Sequence, residues 1–254
     1  MTRERIAFRM KSLEFRARES INTLRGNIQM AGYDVSVIGV TSARANEGKS
    51  SMAFRLAVSL AALGKRTLYL DCDIRNSKVK KRYHIIEKTV GLSEYLCGKL
   101  TLEELIYPTN DADLDMIFSG SFAPNPSELL SGNLFSELIA AVKKQYDYVV
   151  VDTPPINIVI DAAIIAKQCD TTILVVESAG TDRRDAIRAK EQLEYAGAKI
   201  LGVVLNRISP NGTYGAYRKY GYGRYGRYGY GYGTYAKEVQ ENRDTKETQK
   251  GKTE

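Results

Sequence analysis

Histidine is almost absent: His84 stands alone in 254 residues. A Ser-His-Asp triad or a histidine-built metal centre has almost no material here, so any general base is expected to be a carboxylate. Cysteine is scarce as well. Cys72, Cys97 and Cys169 are scattered without metal-ligand spacing and read as reduced thiols, not as a disulfide framework. No apolar run reaches the ~18–20 residues that span a bilayer. The opening Met-Thr-Arg-Glu-Arg is charged where a signal segment would be apolar. The expected location is therefore the cytoplasm. Hydrophobic residues make up 43% of the chain, and the length suffices for one α/β domain with a full core. The net charge of +7 could suit nucleic acid or an anionic membrane. Much of that charge, however, sits in the N-terminal segment and the C-terminal tail.

What is present is organised around Val37–Ser51. An apolar run, Val35 to Val40, reads as a buried strand, and Ser51 to Leu63 reads as a helix. The loop between them ends in Gly48-Lys49-Ser50. This is the P-loop plan of strand, phosphate-cradling loop and helix. Gly48 lets the backbone approach a phosphate, and the amides and dipole at the helix start favour the anion. Lys49 would reach the β- and γ-phosphates of ATP, and the Ser50 hydroxyl would bind Mg²⁺. Thr41, Ala43, Arg44, Asn46, Glu47 and Ser51 complete the expected nucleotide-binding stretch. Ala43 stands where the usual pattern opens with glycine.

Residues 3–31 read as a long amphipathic helix with apolar Ile6, Leu13, Phe15, Ile21, Leu24 and Ile28. It either packs on the domain edge or binds a partner. Arg66 to Arg75 reads as a second buried strand ending in Asp71 and Asp73. Two carboxylates there lie on the ligand-binding edge of a parallel sheet, near the phosphates if this strand neighbours the P-loop strand. Gly91–Leu96 and Thr101–Leu105 look like short capped helices. Leu114–Phe118 reads as a strand, and Gly120–Leu130 as a proline-broken loop running into a helix. Tyr146 to Asp152 is an apolar strand ending in Asp and then Thr153-Pro154-Pro155, the Walker B pattern, whose Asp holds Mg²⁺. Asp161–Gln168 and Thr181–Ala196 read as helices, and Thr171–Glu177 and Ile200–Leu205 as strands. The last of these runs into Asn206 and Arg207, which either reach a nucleotide base or cap a loop. The alternation predicts an α/β fold of the P-loop type, mainly parallel, with helices on both faces.

The composition then changes. Between Ser209 and Tyr235 the chain is Tyr, Gly and Arg, with Tyr214, Tyr217, Tyr220, Tyr222, Tyr225, Tyr228, Tyr230, Tyr232 and Tyr235 holding nine of the chain's 17 tyrosines. Glycine alternation leaves no apolar face, so disorder is expected through the charged end at Glu254. Three organisational regions follow: 1–32, 33–208 and 209–254. The tail itself could stack on single-stranded nucleic acid, serve as a phosphorylation substrate, or merely link. The nucleotide site upstream favours the substrate.

Taken together, these motifs resemble the bacterial tyrosine kinases that accompany capsule and exopolysaccharide synthesis, of the Gram-positive two-chain type. The resemblance rests on Thr41-Ser42 with Gly48-Lys49-Ser50, on Asp71, Asp73 and Arg75 as the Walker A′ motif, and on Asp152 with Pro154-Pro155. It rests also on Asn-Pro-Ser-Glu-Leu-Leu at 125–130 and on the terminal tyrosines. It implies that Lys49, Asp71, Asp73 and Asp152 are catalytic and that Ser50, Asp71 and Asp152 organise Mg²⁺. Asp71 or Asp73 would orient or deprotonate a tyrosine of the tail, each a phosphorylation site, on a neighbouring subunit. It implies further a transmembrane polysaccharide co-polymerase as activator, recruitment to the inner face of the membrane, and a cognate phosphotyrosine phosphatase. A ring assembly would form through Glu19, Asn22 and Arg25, Asn22 standing where the family has arginine. No nucleic acid is expected. The rival reading is an ATPase switch of the cell-division and plasmid-partition type, which carries a signature lysine where this chain has Arg44.

Overall fold

The computed structural model describes residues 5–32 and 35–208. The chain enters as an extended strap. Residues 5–14 are not helical, and Ile6 bridges Thr109 in parallel, its amide donating to the Pro108 carbonyl at 2.8 Å. The helix expected over 3–31 is thus shortened to α1, Phe15–Met30. The reason is a period of two among the arginines. Ile6, Phe8 and Met10 all pack on the core, and Phe8 meets Phe54 edge-on at 5.0 Å. Such alternation suits extended chain. Within α1, Ile21, Leu24 and Ile28 recur at helical spacing and turn inward.

After α1 the elements run β1 (Val37–Ser42), α2 (Lys49–Ala61), β2 (Thr67–Asp71), α3 (Val79–Arg82), α4 (Leu92–Leu96) and α5 (Leu102–Leu105). There follow β3 (Tyr107–Pro108), β4 (Leu114–Ile117), α6 (Pro126–Ser131), α7 (Asn133–Gln145) and β5 (Tyr148–Asp152). The described part closes with α8 (Asp161–Ala166), β6 (Thr171–Glu177), α9 (Arg183–Tyr195) and β7 (Ile200–Asn206). The strands form one seven-stranded sheet in the order β3-β4-β2-β5-β1-β6-β7, parallel except for β3.

Both faces of the sheet are covered, which is why its central strands read as unbroken apolar runs. Ile38, Val40, Tyr69 and Val150 pack with Phe54, Ala57 and Leu60 of α2. The intervening Val37, Leu68, Leu70, Val149 and Val151 pack with Phe135, Leu138 and Val142 of α7. The condition left open for β2 is settled by the strand order: it does not neighbour β1, because β5 lies between them. Asp71 and Asp73 therefore approach the P-loop across β5, and the register sets Asp71 beside Asp152. The carboxyl ends of β1, β2 and β5 share one edge. The Tyr-Gly-Arg segment with its nine tyrosines lies outside the described residues.

Phe54 is fully buried and meets three aromatic rings: Phe8, Tyr69 edge-on at 5.1 Å, and Tyr83 stacked at 3.9 Å. Phe54→Ala is expected to destabilise the domain by about 3–5 kcal/mol, seen as a lowered urea midpoint. A loss below about 1 kcal/mol would mean that the strap and α3 close over the gap.

Candidate active site

The loop from β1 to α2 is shaped from within by its own side chains. Gly48 caps α2 at φ +93°, and a β-carbon there would come 2.1 Å from Asn206 Nδ2, so only glycine fits. Asn46 also sits in the left-handed region, at φ 66°, which asparagine tolerates. Glu47 is 2% exposed. Its carboxylate accepts from the Arg44 amide at 2.8 Å and from the Thr181 hydroxyl, and its carbonyl accepts from Asn206 Nδ2 at 2.8 Å. The Thr41 hydroxyl donates to the Pro154 carbonyl at 2.9 Å and ties the end of β1 to the segment after β5. Ala43 is fully buried beside Ile156 and Ala162.

The charged flank is also engaged within the chain. Arg44 pairs with Asp185, and its guanidinium donates to the Gly180 carbonyl at 3.3 Å. Arg207 pairs with Glu177 at 2.9 Å. The Ser51 hydroxyl accepts from Arg82. The side chains of Thr41, Arg44, Glu47 and Asn206, singled out as candidate ligands, thus also brace the loop, Ala43 packs beneath it, and Arg207 pairs beside it. Asn206 donates one amide hydrogen to the Glu47 carbonyl at 2.8 Å and so braces the loop from the end of β7.

Lys49, Asp71, Asp73 and Asp152 do come together. The Lys49 ammonium lies 3.2 Å from Asp152 Oδ1, 3.4 Å from Asp73 Oδ2 and 3.2 Å from the Ser50 hydroxyl. The other oxygen of Asp152 accepts from the Tyr69 hydroxyl at 2.9 Å. Asp71 accepts from the Asp73 amide at 3.2 Å and from the Ser77 hydroxyl. Burial works to lower the Lys49 pKa, but Asp152, Asp73 and Asp71 outweigh it and the net shift is upward, so Lys49 is a firm cation. Burial and then the neighbouring Asp152 push Asp71 up to about 7, against the pull of Ser77 and Lys49. Three carboxylates around one ammonium leave an excess of negative charge, which a hard cation would relieve.

Sequence reasoning did not foresee Tyr69, Ser77 or a second cluster beside them. Arg75 makes a two-point ion pair with Asp161, Nε to Oδ2 at 2.7 Å and Nη2 to Oδ1 at 3.0 Å. Ser127 donates to Asp161 at 2.8 Å and accepts from Arg75 at 3.0 Å. The Walker A′ arginine is therefore clamped to the Asn-Pro-Ser-Glu-Leu-Leu segment and to α8. Both motifs were visible in the sequence, but nothing there showed that they meet. On α1, Asn22 donates to Glu19 at 2.9 Å, while Arg25 reaches the carbonyl and hydroxyl of Ser59 on α2, each at 2.9 Å. Arg25 is thus engaged inside its own chain.

The chain has known relatives. A family model described as an AAA domain matches residues 35–181. A tyrosine-protein kinase of Streptococcus pneumoniae, CpsD, is 42% identical over 217 residues, covering 83% of this chain and 96% of that protein. The crystal structure of the chimerical protein CapA2B2 superposes with a TM-score of 0.71 at 37% identity, over 75% of this chain and 84% of that one. The kinase domain of the Escherichia coli tyrosine kinase ETK also gives a TM-score of 0.71, at 27% identity over 80% of this chain and 91% of that one.

The proton on Asp71 has a measurable consequence. Folding raises its pKa from 3.8 to about 7, so between those values the folded state holds a proton that the unfolded chain has lost. Stability of the nucleotide-free protein is then expected to fall as pH rises through that window and to level off above it. Asp71→Asn should remove this slope. Urea midpoints of both proteins at about pH 5 and about pH 7.5 test it. A pH-independent difference between them would show that Asp71 is ionised throughout.

Proposed function

The chain belongs to the bacterial tyrosine-protein kinases, and from that premise we propose how its residues divide the work of a protein-tyrosine kinase. The observation that carries the reading is the meeting of Lys49 with Asp73 and Asp152 directly behind the glycine-capped start of α2. Lys49 and the first amides of α2 hold the phosphates of ATP. Asp71, Asp152 and Ser50 offer the hard oxygen donors that Mg²⁺ takes. Among the described residues no group of three or more His, Cys, Asp or Glu is arranged to hold a metal. Bound by those oxygens, Mg²⁺ supplies neutralisation of phosphate charge.

Asp73 is the carboxylate best placed for the acceptor. Its side chain is 12% exposed against 1% for Asp152. It takes the phenolic proton as the tyrosine oxygen attacks the γ-phosphorus and the bond to the ADP oxygen breaks. A phenol of pKa about 10 needs such help near neutral pH. Tyr69 and Arg75 do not touch the reacting atoms: Tyr69 holds Asp152 in place, and Arg75 fixes the backbone just past Asp73.

The acceptors are the tail tyrosines, presented to a neighbouring subunit. A glycine-rich tail of this length reaches roughly 25–30 Å, which keeps its tyrosines at roughly millimolar local concentration. Each phosphate adds about −1.5 to −2 charge, so several reverse the sign of the segment and change what it binds. In this reading the enzyme regulates capsular or exopolysaccharide synthesis. It is activated at the inner face of the membrane by a transmembrane co-polymerase, assembles through α1, and is reset by a phosphotyrosine phosphatase. Among the described residues no helix is long and apolar enough to cross a membrane.

Incubating the purified chain with ATP and Mg²⁺, with and without a candidate activator segment, and mapping phosphotyrosine by mass spectrometry tests the reading. Lys49→Met and Asp73→Asn are each expected to lower incorporation at least about 100-fold. ATP hydrolysis without any phosphotyrosine, activator included, would overturn it in favour of a switch ATPase.

A further inference from the structure

A cavity of about 700 Å³ opens between the entering strap, the first turns of α2 and the turn after α3. It adjoins the catalytic edge, since Ser51 in its wall follows Ser50, but none of its residues belongs to the lysine–aspartate cluster. Its lining is strongly basic. Arg9 and Lys11 come from the strap, Arg55 from α2 and Arg82 from α3. None of the four forms an ion pair with a described residue. The single acid in the wall, Glu87, accepts from the Ala7 amide at 3.3 Å.

The cations are held from behind. Arg55 donates to the Lys11 carbonyl at 3.2 Å, and the Arg9 amide donates to the Tyr83 carbonyl at 2.9 Å. Tyr83 itself is 4% exposed and stacked on Phe54, and its hydroxyl lies beside Ser51, with no strict hydrogen-bond partner among the described residues. A buried phenol beside cations that no described carboxylate pairs is a setting that suits an oxyanion. Met10 and the exposed Ile86 add apolar surface at the same opening, which an aromatic ring can cover.

We propose that this cavity is a phosphotyrosine-binding site whose occupant is the phosphorylated Tyr-Gly-Arg segment of a second copy of this chain. Charge selects between the two forms of that segment. Unmodified, residues 209–235 carry Arg218, Lys219, Arg224 and Arg227 and no acid, so the cavity repels them. Each phosphate adds about −1.5 to −2 charge and three acceptor oxygens, matched to the guanidinium forks of Arg55 and Arg82 and to the Tyr83 hydroxyl. The occupant rests on the tail phosphorylation proposed above. The site itself does not, because it can be probed with phosphotyrosine made by synthesis.

The experiment is a fluorescence-anisotropy titration of the phosphatase-treated full chain with a labelled peptide of residues 224–232 phosphorylated on Tyr228. The unphosphorylated peptide is the control, and inorganic phosphate and ATP with Mg²⁺ are competitors. The phosphopeptide is expected to bind at least about tenfold more tightly than its control. The double substitution Arg55→Ala with Arg82→Ala should weaken it by a further tenfold or more, with the thermal midpoint checked for folding. Tyr83→Phe, which keeps the stacked ring, should weaken it less but measurably. Equal binding of both peptides, no binding of either, displacement by ATP or by phosphate at the peptide's own concentration, or indifference to the arginine pair would each overturn the proposal. Failure of the chain to phosphorylate itself would leave the titration unaffected and would bear on the kinase reading alone.

Discussion

The structure depends on how Asp152 is held. It is fully buried at the end of β5, between β1 and β2, and each of its oxygens has its own donor: the Lys49 ammonium on one side and the Tyr69 hydroxyl on the other. A carboxylate in such a place is tolerable only when paired and hydrogen-bonded. The pairing links the start of α2 to the middle of the sheet, while Tyr69 carries the same link down to Phe54 and so to the aromatic packing under α2. Catalytic geometry and core packing are one arrangement here. A change in the ring layer reaches the acid cluster through one phenol.

The cluster is also unbalanced in charge, and that imbalance organises what surrounds it. Asp71 relieves it partly by holding a proton more tightly than a free carboxylate. Asp73, less buried, faces Lys49 from the open side. A few residues further on, Arg75 is turned away from the cluster and consumed by Asp161 and Ser127. The neighbouring cavity has the opposite sign, with Arg9, Lys11, Arg55 and Arg82 in no ion pair with a described residue. An acidic cluster and a basic recess thus both adjoin the first turns of α2.

Much of this was legible in the sequence because it is local. The strand–loop–helix plan, Gly48-Lys49-Ser50, the strand-end aspartates and the capping box from Thr101 to Glu104 all concern residues close in sequence. What escaped is non-local or masked by composition. That Asn206 holds the Glu47 carbonyl, 159 residues away, cannot be seen in either segment. The strap was read as helix because its arginines hide the alternation of Ile6, Phe8 and Met10, and because its partner, Thr109, lies far along the chain. The neighbour of β2 depends on the order of strands in the sheet, which spacing does not encode. The assembly motif read as Glu19, Asn22 and Arg25 has its arginine engaged by Ser59 of α2, a contact that a helical pattern alone cannot predict.

The P-loop is fastened at four points by its own chain: the Glu47 carbonyl against Asn206, the Glu47 carboxylate against Thr181 and the Arg44 amide, Thr41 against Pro154, and Arg44 against Asp185. Its conformational entropy is therefore surrendered when the domain folds, not when nucleotide arrives. A nucleotide meets a finished cradle, and the heat and heat capacity of its binding will report desolvation of phosphate and cluster rather than the ordering of a loop.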